Sequence, residues 1–183
     1  DRVYQSTSLS FDGSMEQILP SLLVGAAVVL RGKNVWTPLE LQEKIAHYGL
    51  TVLCFPPAYL HEWAQYCVEL RHSAPLHQPR LIICGGDELM PATVQLLEQT
   101  PIRSARLLNV YGPTEGTITT TTHEVMLRSQ VGHSSEKIPI GRPLPNRTVY
   151  ILDRDGNLSP AGVPGEIHIG GDFLACGYLD RPD

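Results

Sequence analysis

Through its first two-thirds the chain alternates short apolar runs with helix-capped segments, and that alternation restricts the fold more than any other feature. Residues 3–7, 26–30, 51–55, 80–84 and 106–111 read as strands. Helices are predicted over 14–24, 38–48, 58–70 and 91–98. The clearest start is Thr37-Pro38-Leu39-Glu40, with an N-cap, a proline in the first turn and the acid of a capping box. Leu41, Ile45 and Tyr48 follow at helical spacing, and Gly49 ends the segment. Ser14-Met15-Glu16-Gln17 also has the S-x-x-Q form of a capping box. Strands and helices in this order predict an α/β fold: a mostly parallel sheet flanked by helices.

Beyond residue 122 the pattern changes. Segments 117–125, 147–152 and 166–170 are helix-free, and Gly/Pro turns such as Pro160-Ala161-Gly162 punctuate this part of the chain. They predict a small antiparallel, barrel-like β segment. A boundary between Val125 and Ile138, where residues 129–137 are polar, divides the chain into an α/β unit, 1–125, and a β-rich unit, 126–183, incomplete at its C-terminus.

With 183 residues, 42% hydrophobic and 18% charged, the chain is globular rather than disordered. A net charge of −5 gives no basic field for nucleic acid or an anionic membrane. Its longest apolar run, 22–30, is interrupted by Gly25 and is too short to span a bilayer. The amino terminus does not resemble a secretory signal. Cys54, Cys67, Cys84 and Cys176 form no C-x-x-C pair, so free thiols in a reducing cytoplasm are expected, ahead of disulfides or a zinc site. The histidines lack ligand spacing; His61 and His72 are too far apart for one helix face.

Three stretches carry chemistry. Leu107 to Thr117 runs an apolar strand into Tyr111-Gly112-Pro113-Thr114-Glu115, which places a ring, a hydroxyl and a carboxylate at the carboxyl edge of the sheet. Such a set suits a nucleotide with magnesium, or forms an ordinary surface turn. Asp12 and Glu16, four apart, either cap and solvate a helix or build a cation-binding wall. Cys84-Gly85-Gly86-Asp87-Glu88-Leu89 lies between a strand and a helix, where two glycines let a ligand approach the backbone. It is similar to the G-G-D-E-F signature of diguanylate cyclases, but that motif needs a β-hairpin. P-loop, serine-hydrolase and dinucleotide-binding glycine signatures are all absent.

Taken together the chain resembles the adenylate-forming, AMP-binding superfamily, and most closely an adenylation domain of a nonribosomal peptide synthetase. The matching stretches are Leu9-Ser10-Phe11-Asp12-Gly13-Ser14, Phe55-Pro56-Pro57-Ala58, the N-x-Y-G-P-T-E of residues 109–115, Ile138-Pro139-Ile140-Gly141-Arg142-Pro143, and Gly165 to Gly171 with Ala175-Cys176-Gly177-Tyr178-Leu179. The resemblance implies a flavodoxin-like subdomain that joins an amino acid to ATP as an aminoacyl adenylate, releasing pyrophosphate. The acyl group then passes to the phosphopantetheine thiol of a peptidyl carrier protein.

For individual residues it implies that Asn109 and Tyr111 hold adenine beside Gly85 and Gly86. Val110 and Gly112 complete the nucleotide contact, Thr114 meets the α-phosphate, Glu115 ligates Mg2+, and Asp12 pairs with the substrate ammonium. The substrate pocket falls on Asp12, Gly13, Glu16, Cys54, Ile83, Gly85, Val110, Ile118 and Thr119, with Glu16 implying a cationic side chain such as Lys, ornithine or Arg. No phosphate loop, Y-R-T-G-D or catalytic lysine is present; Lys33, Lys44 and Lys137 lie in no matching context. The chain is therefore expected to be the central piece of a larger enzyme, needing the remaining adenylation subdomains and inactive alone. An acyl- or aryl-acid ligase and a non-catalytic substrate-binding module are the alternatives.

Overall fold

The computed structural model describes residues 1–70, 77–127 and 137–181. His72 and residues 129–136 of the expected boundary stretch lie outside the described residues. Seven strands form one sheet: β1 (Arg2–Gln5), β2 (Ala27–Leu30), β3 (Val52–Phe55), β4 (Leu81–Gly85), β5 (Arg106–Tyr111), β6 (Thr121–Val125) and β7 (Arg142–Pro143). Their order is β2-β1-β3-β4-β5-β6-β7, parallel from β2 to β5 and antiparallel at β6 and β7. Helices α1 (Gly13–Leu23), α2 (Pro38–Tyr48), α3 (Pro57–Leu70) and α4 (Pro91–Glu98) make the crossovers. A second sheet pairs β8 (Arg147–Leu152) with β9 (Glu166–Gly171), antiparallel. The main sheet runs past residue 125 to take in Arg142 and Pro143, and the small antiparallel sheet expected in the C-terminal part has two strands among the described residues.

Strand alternation divides the main sheet into two faces. Leu53, Ile82 and Leu107 stand opposite one another across β3, β4 and β5, all fully buried. They form a core layer with Trp63 and Leu60 of α3, Leu41 of α2 and Leu97 of α4. The next residues in register, Cys54, Ile83 and Leu108, point to the other face and are only half-buried.

The Thr37 capping box forms as the sequence predicts: Thr37 Oγ1 accepts from the Glu40 amide and the Glu40 carboxylate accepts from Thr37 N. Gly49 closes α2 in the left-handed region. The box predicted at Ser14 does not form. Asp12 is the N-cap of α1, its Oδ1 accepting from Gly13 N, and Ser14 is buried with its hydroxyl donating to Phe11 O. A carboxylate suits the positive end of the helix better than a hydroxyl. Gln17 instead turns to β1: its Oε1 accepts from the amides of Ser6 and Thr7, and its Nε2 donates to Thr7 Oγ1. Those amides extend past the last residue of β1, and a side chain supplies the acceptor the ladder cannot.

Trp63 is the largest fully buried side chain, packed 5.8 Å from the Phe55 ring. Trp63→Ala is expected to cost about 3–5 kcal/mol of stability, read as a lowered urea midpoint.

Candidate functional site

The strand order reverses at β1, whose neighbours are β2 on one side and β3 on the other. The chain leaves those strand ends in opposite directions, opening a crevice at their carboxyl edge. A cavity of about 630 Å³ occupies that place. Its wall is built from the strand ends: Ser6 and Thr7 after β1, Cys54 and Phe55 of β3, Ile83 and Gly85 of β4, Val110 and Tyr111 of β5. All nine residues expected to form a substrate pocket line it: Asp12, Gly13, Glu16, Cys54, Ile83, Gly85, Val110, Ile118 and Thr119. Gly86, Tyr111, Gly112 and Thr114, expected around the nucleotide, line it as well.

Asn109 and Glu115 do not. Asn109, 3% exposed, lies on the core face with Leu107, and its Nδ2 donates to Pro139 O at 2.8 Å. Glu115 sits beyond the lining residues, its Oε1 accepting from the Tyr178 hydroxyl at 2.8 Å. The residue's own backbone N–H, and then the Tyr178 bond, hold the Glu115 carboxyl below its ordinary value. No cluster of three His, Cys, Asp or Glu able to hold a metal occurs among the described residues. A single carboxylate beside a nucleotide-sized cavity still fits Mg2+, which commonly takes one or two carboxylates and completes its shell with phosphate and water.

Two glycines are required by close packing. A Cβ on Gly85 would lie 2.5 Å from Val110 Cγ2, and one on Gly112 would lie 1.9 Å from Ile118 O. Gly112 therefore lets the chain double back, so that Thr120 N donates to Tyr111 O at 2.8 Å. Within that return, Thr117 and Ile118 both adopt positive φ, 55° and 68°. β-branched residues in this region carry strain on the order of 1–3 kcal/mol each, and they persist only where neighbours over-determine them.

One such neighbour is Glu16. Its Oε1 accepts from Thr119 N at 3.1 Å and its Oε2 from Thr119 Oγ1 at 2.9 Å, joining α1 to a turn 103 residues away. Although Glu16 retains exposed surface, the crowded cavity wall around its carboxyl raises its pKa above the ordinary 4.5. Desolvation is the largest cause; the Thr119 bonds and the Arg147 charge oppose it, and the Asp12 charge adds to it. Asp12 Oδ2 is buried with no hydrogen-bond partner among the described residues. The cavity thus holds two carboxylates that disfavour each other and would both gain from a cation. Arg31 is the only arginine or lysine among the described lining residues.

The smaller sheet reaches the same turn. Arg147, the first residue of β8, donates to the carbonyls of Gly116 and, at 3.0 Å, Thr117. Thr117 Oγ1 donates to Phe173 O, and Ala175 N donates to Glu115 O at 2.8 Å. Arg147 is not recognisable as a site residue from its sequence neighbourhood, and Tyr178 lies in a matching stretch that does not reveal its partner, because each acts on a segment at least 30 residues away. Gln17 carries a signal, an S-x-x-Q spacing, that points to a different role.

The sequence matches the family described as AMP-binding enzyme over residues 1–179. It is 39% identical to the nonribosomal peptide synthetase asaC of Aspergillus flavus, covering 100% of this chain and 17% of that protein. It is 35% identical to bacitracin synthase 2 of Bacillus licheniformis, covering 99% of this chain and 6% of that one. The chain therefore spans a small part of the curated relatives it matches. A solved NRPS protein containing adenylation and PCP domains superposes with a TM-score of 0.81 at 28% identity, over 97% of this chain and 34% of that one.

Gly112→Ala is expected to unfold the 112–119 return, lowering the thermal midpoint and abolishing ligand binding in the cavity, since the obstructing atoms are backbone. Glu16→Gln tests the carboxyl environment. An acid whose pKa is raised by folding binds its proton more tightly in the folded state, so its ionisation lowers stability as pH rises from about 4.5 through the raised value. Denaturation of wild type and Glu16→Gln across that window should show the wild type losing ground to the variant with rising pH. A constant difference would contradict the raised value.

Proposed function

The chain belongs to the AMP-binding enzyme family, and from that membership we propose that it supplies the amino-acid pocket and part of the nucleotide site of an adenylation domain in nonribosomal peptide synthesis. The observation that carries this is one cavity at the strand-order reversal, shared by Asp12 and the 111–114 turn. Its volume is that of a small-molecule site.

In the proposed reaction a carboxylate oxygen of the amino acid attacks the α-phosphorus of ATP. The bond to the bridging oxygen breaks, and pyrophosphate leaves. Asp12 pairs with the substrate ammonium and satisfies its own unpartnered Oδ2. Thr114 offers its hydroxyl to an α-phosphate oxygen, and Tyr111 with the Gly85-Gly86 backbone borders the adenine. Asn109 acts from beneath by fixing Pro139. Bound Mg2+ would neutralise phosphate charge, held by Glu115 with Tyr178 orienting the carboxylate. Most of the rate enhancement comes from placing the carboxylate in line and from dipoles aimed at phosphate oxygens.

The acyl group then moves to a phosphopantetheine thiol on a carrier protein. Sulfur attacks the acyl carbon, AMP departs and the thiol proton is released. The adenylation and PCP domains of the solved relative support such a partner. No lysine lines the cavity among the described residues, so any catalytic lysine comes from elsewhere in the enzyme. The two carboxylates favour a substrate with a cationic side chain, Glu16 meeting the distal charge. Four free cysteines favour the cytoplasm.

Exchange of labelled pyrophosphate into ATP, assayed in the protein that carries this sequence, should be strongest with Lys, ornithine or Arg. A preference for small aliphatic amino acids would overturn the cationic assignment, and a preference for acids lacking an α-amine would indicate an acyl- or aryl-acid ligase. Asp12→Ala should raise the amino-acid KM about thirtyfold, ~2 kcal/mol, for a lost hydrogen-bonded charge pair. Glu115→Gln should raise the Mg2+ concentration needed for half-maximal exchange.

A further inference from the structure

Resting on the amino-acid assignment above, we infer that Arg147 is a positioning residue for the substrate pocket: it locks the 116–119 turn in the conformation that presents Ile118 and Thr119 to the cavity and Thr119 to Glu16. The 116–119 turn needs such a lock. Thr117 and Ile118 lie consecutively at positive φ, where β-branched side chains are disfavoured. Hydrogen bonds local to the turn are few: Gly116 N donates to Pro113 O and Thr117 N to Thr114 O, both at 3.0 Å.

The remaining restraint comes from outside. The planar guanidinium of Arg147 reaches the carbonyls of Gly116 and Thr117 together, fixing the peptide plane that enters the strained pair and the plane between its two residues. Arg147 is itself held, its Cζ lying 5.1 Å from the centroid of the Phe173 ring. The Phe173 carbonyl in turn accepts from Thr117 Oγ1. The result is a closed circuit from Arg147 to the turn, to Phe173 and back. At the far end of the turn, Thr119 gives both its amide and its hydroxyl to Glu16. Freeing the carbonyls of 116 and 117 lets the pair relax to negative φ, which carries Thr119 away from Glu16 and redraws the amino-acid side of the cavity. Tyr111 and Gly85 on the nucleotide side are anchored by the sheet and stay in place. The expected signature is therefore one-sided: amino-acid recognition falls while ATP recognition holds.

Arg147→Gln and Arg147→Lys test this in the full protein. Deuterium uptake of the ligand-free enzyme gives the first readout. Segment 114–121 should exchange faster in Arg147→Gln while segments from β3 and β4 stay at the wild-type rate. Unchanged uptake in 114–121 overturns the role, and so does faster uptake everywhere, which would make Arg147 a general stabiliser. Pyrophosphate exchange gives the second. The amino-acid KM should rise about tenfold with ATP KM and kcat within about twofold of wild type. Arg147→Lys should recover only part of that loss, because an ammonium cannot present two parallel donors. Equal rises in both KM values overturn the inference. If the wild type exchanges pyrophosphate with no amino acid, the activity assignment fails, and deuterium uptake still decides whether Arg147 holds the turn.

Discussion

The parallel register across β3, β4 and β5 is the constraint on which the remaining geometry depends. Placing Leu53, Ile82 and Leu107 side by side in the core also places Cys54, Ile83 and Leu108 side by side on the opposite face. A slip of one residue would exchange the two sets, burying the cavity wall and exposing the core. Because the sheet order reverses at β1, the exposed ends of the second set open into a crevice rather than against a helix. Packing and recognition are therefore two faces of one pairing scheme.

Much of this is legible in the sequence, for local reasons. The Thr37 capping box, the Gly49 stop and the 106–111 strand depend on residues within a few positions of one another, and they form where expected. The nine pocket positions also converge: three lie at the start of α1, four on the adjacent strands β3, β4 and β5, and two in the turn before β6. Long-range chemistry is not legible. Ser14 and Gln17 have the spacing of a capping pair, but Asp12 takes the cap and the end of β1 takes Gln17. The short strand Arg142–Pro143 carries too little pattern to announce a sheet edge, and only its pairing with Thr121 and Thr122 reveals it. The motif around Asn109 points to adenine, whereas strand alternation turns its amide into the core face and onto Pro139.

The cavity is chemically asymmetric. Asp12 and Glu16 crowd one wall with negative charge, and Gly85, Gly86 and Gly112 line the other with little but backbone. In the proposed reading the first wall would discriminate by charge, because a buried carboxylate without a partner is costly. The second discriminates by shape, since any side chain at Gly85 or Gly112 would strike its neighbours. A tethered turn at positive φ joins the two, so the walls are held at a fixed separation by hydrogen bonds to α1 and to the smaller sheet.

Cys54 adds one more property to that enclosure. Burial, with the Glu16 charge beside it, pushes its thiol up to about 12. The thiolate, the form that reacts, is therefore scarce at neutral pH. A mixed anhydride generated in the same enclosure would meet an inert, hydrocarbon-like surface at this sulfur instead of a nucleophile. Were the proposed reaction to run there, self-acylation at this position would be suppressed.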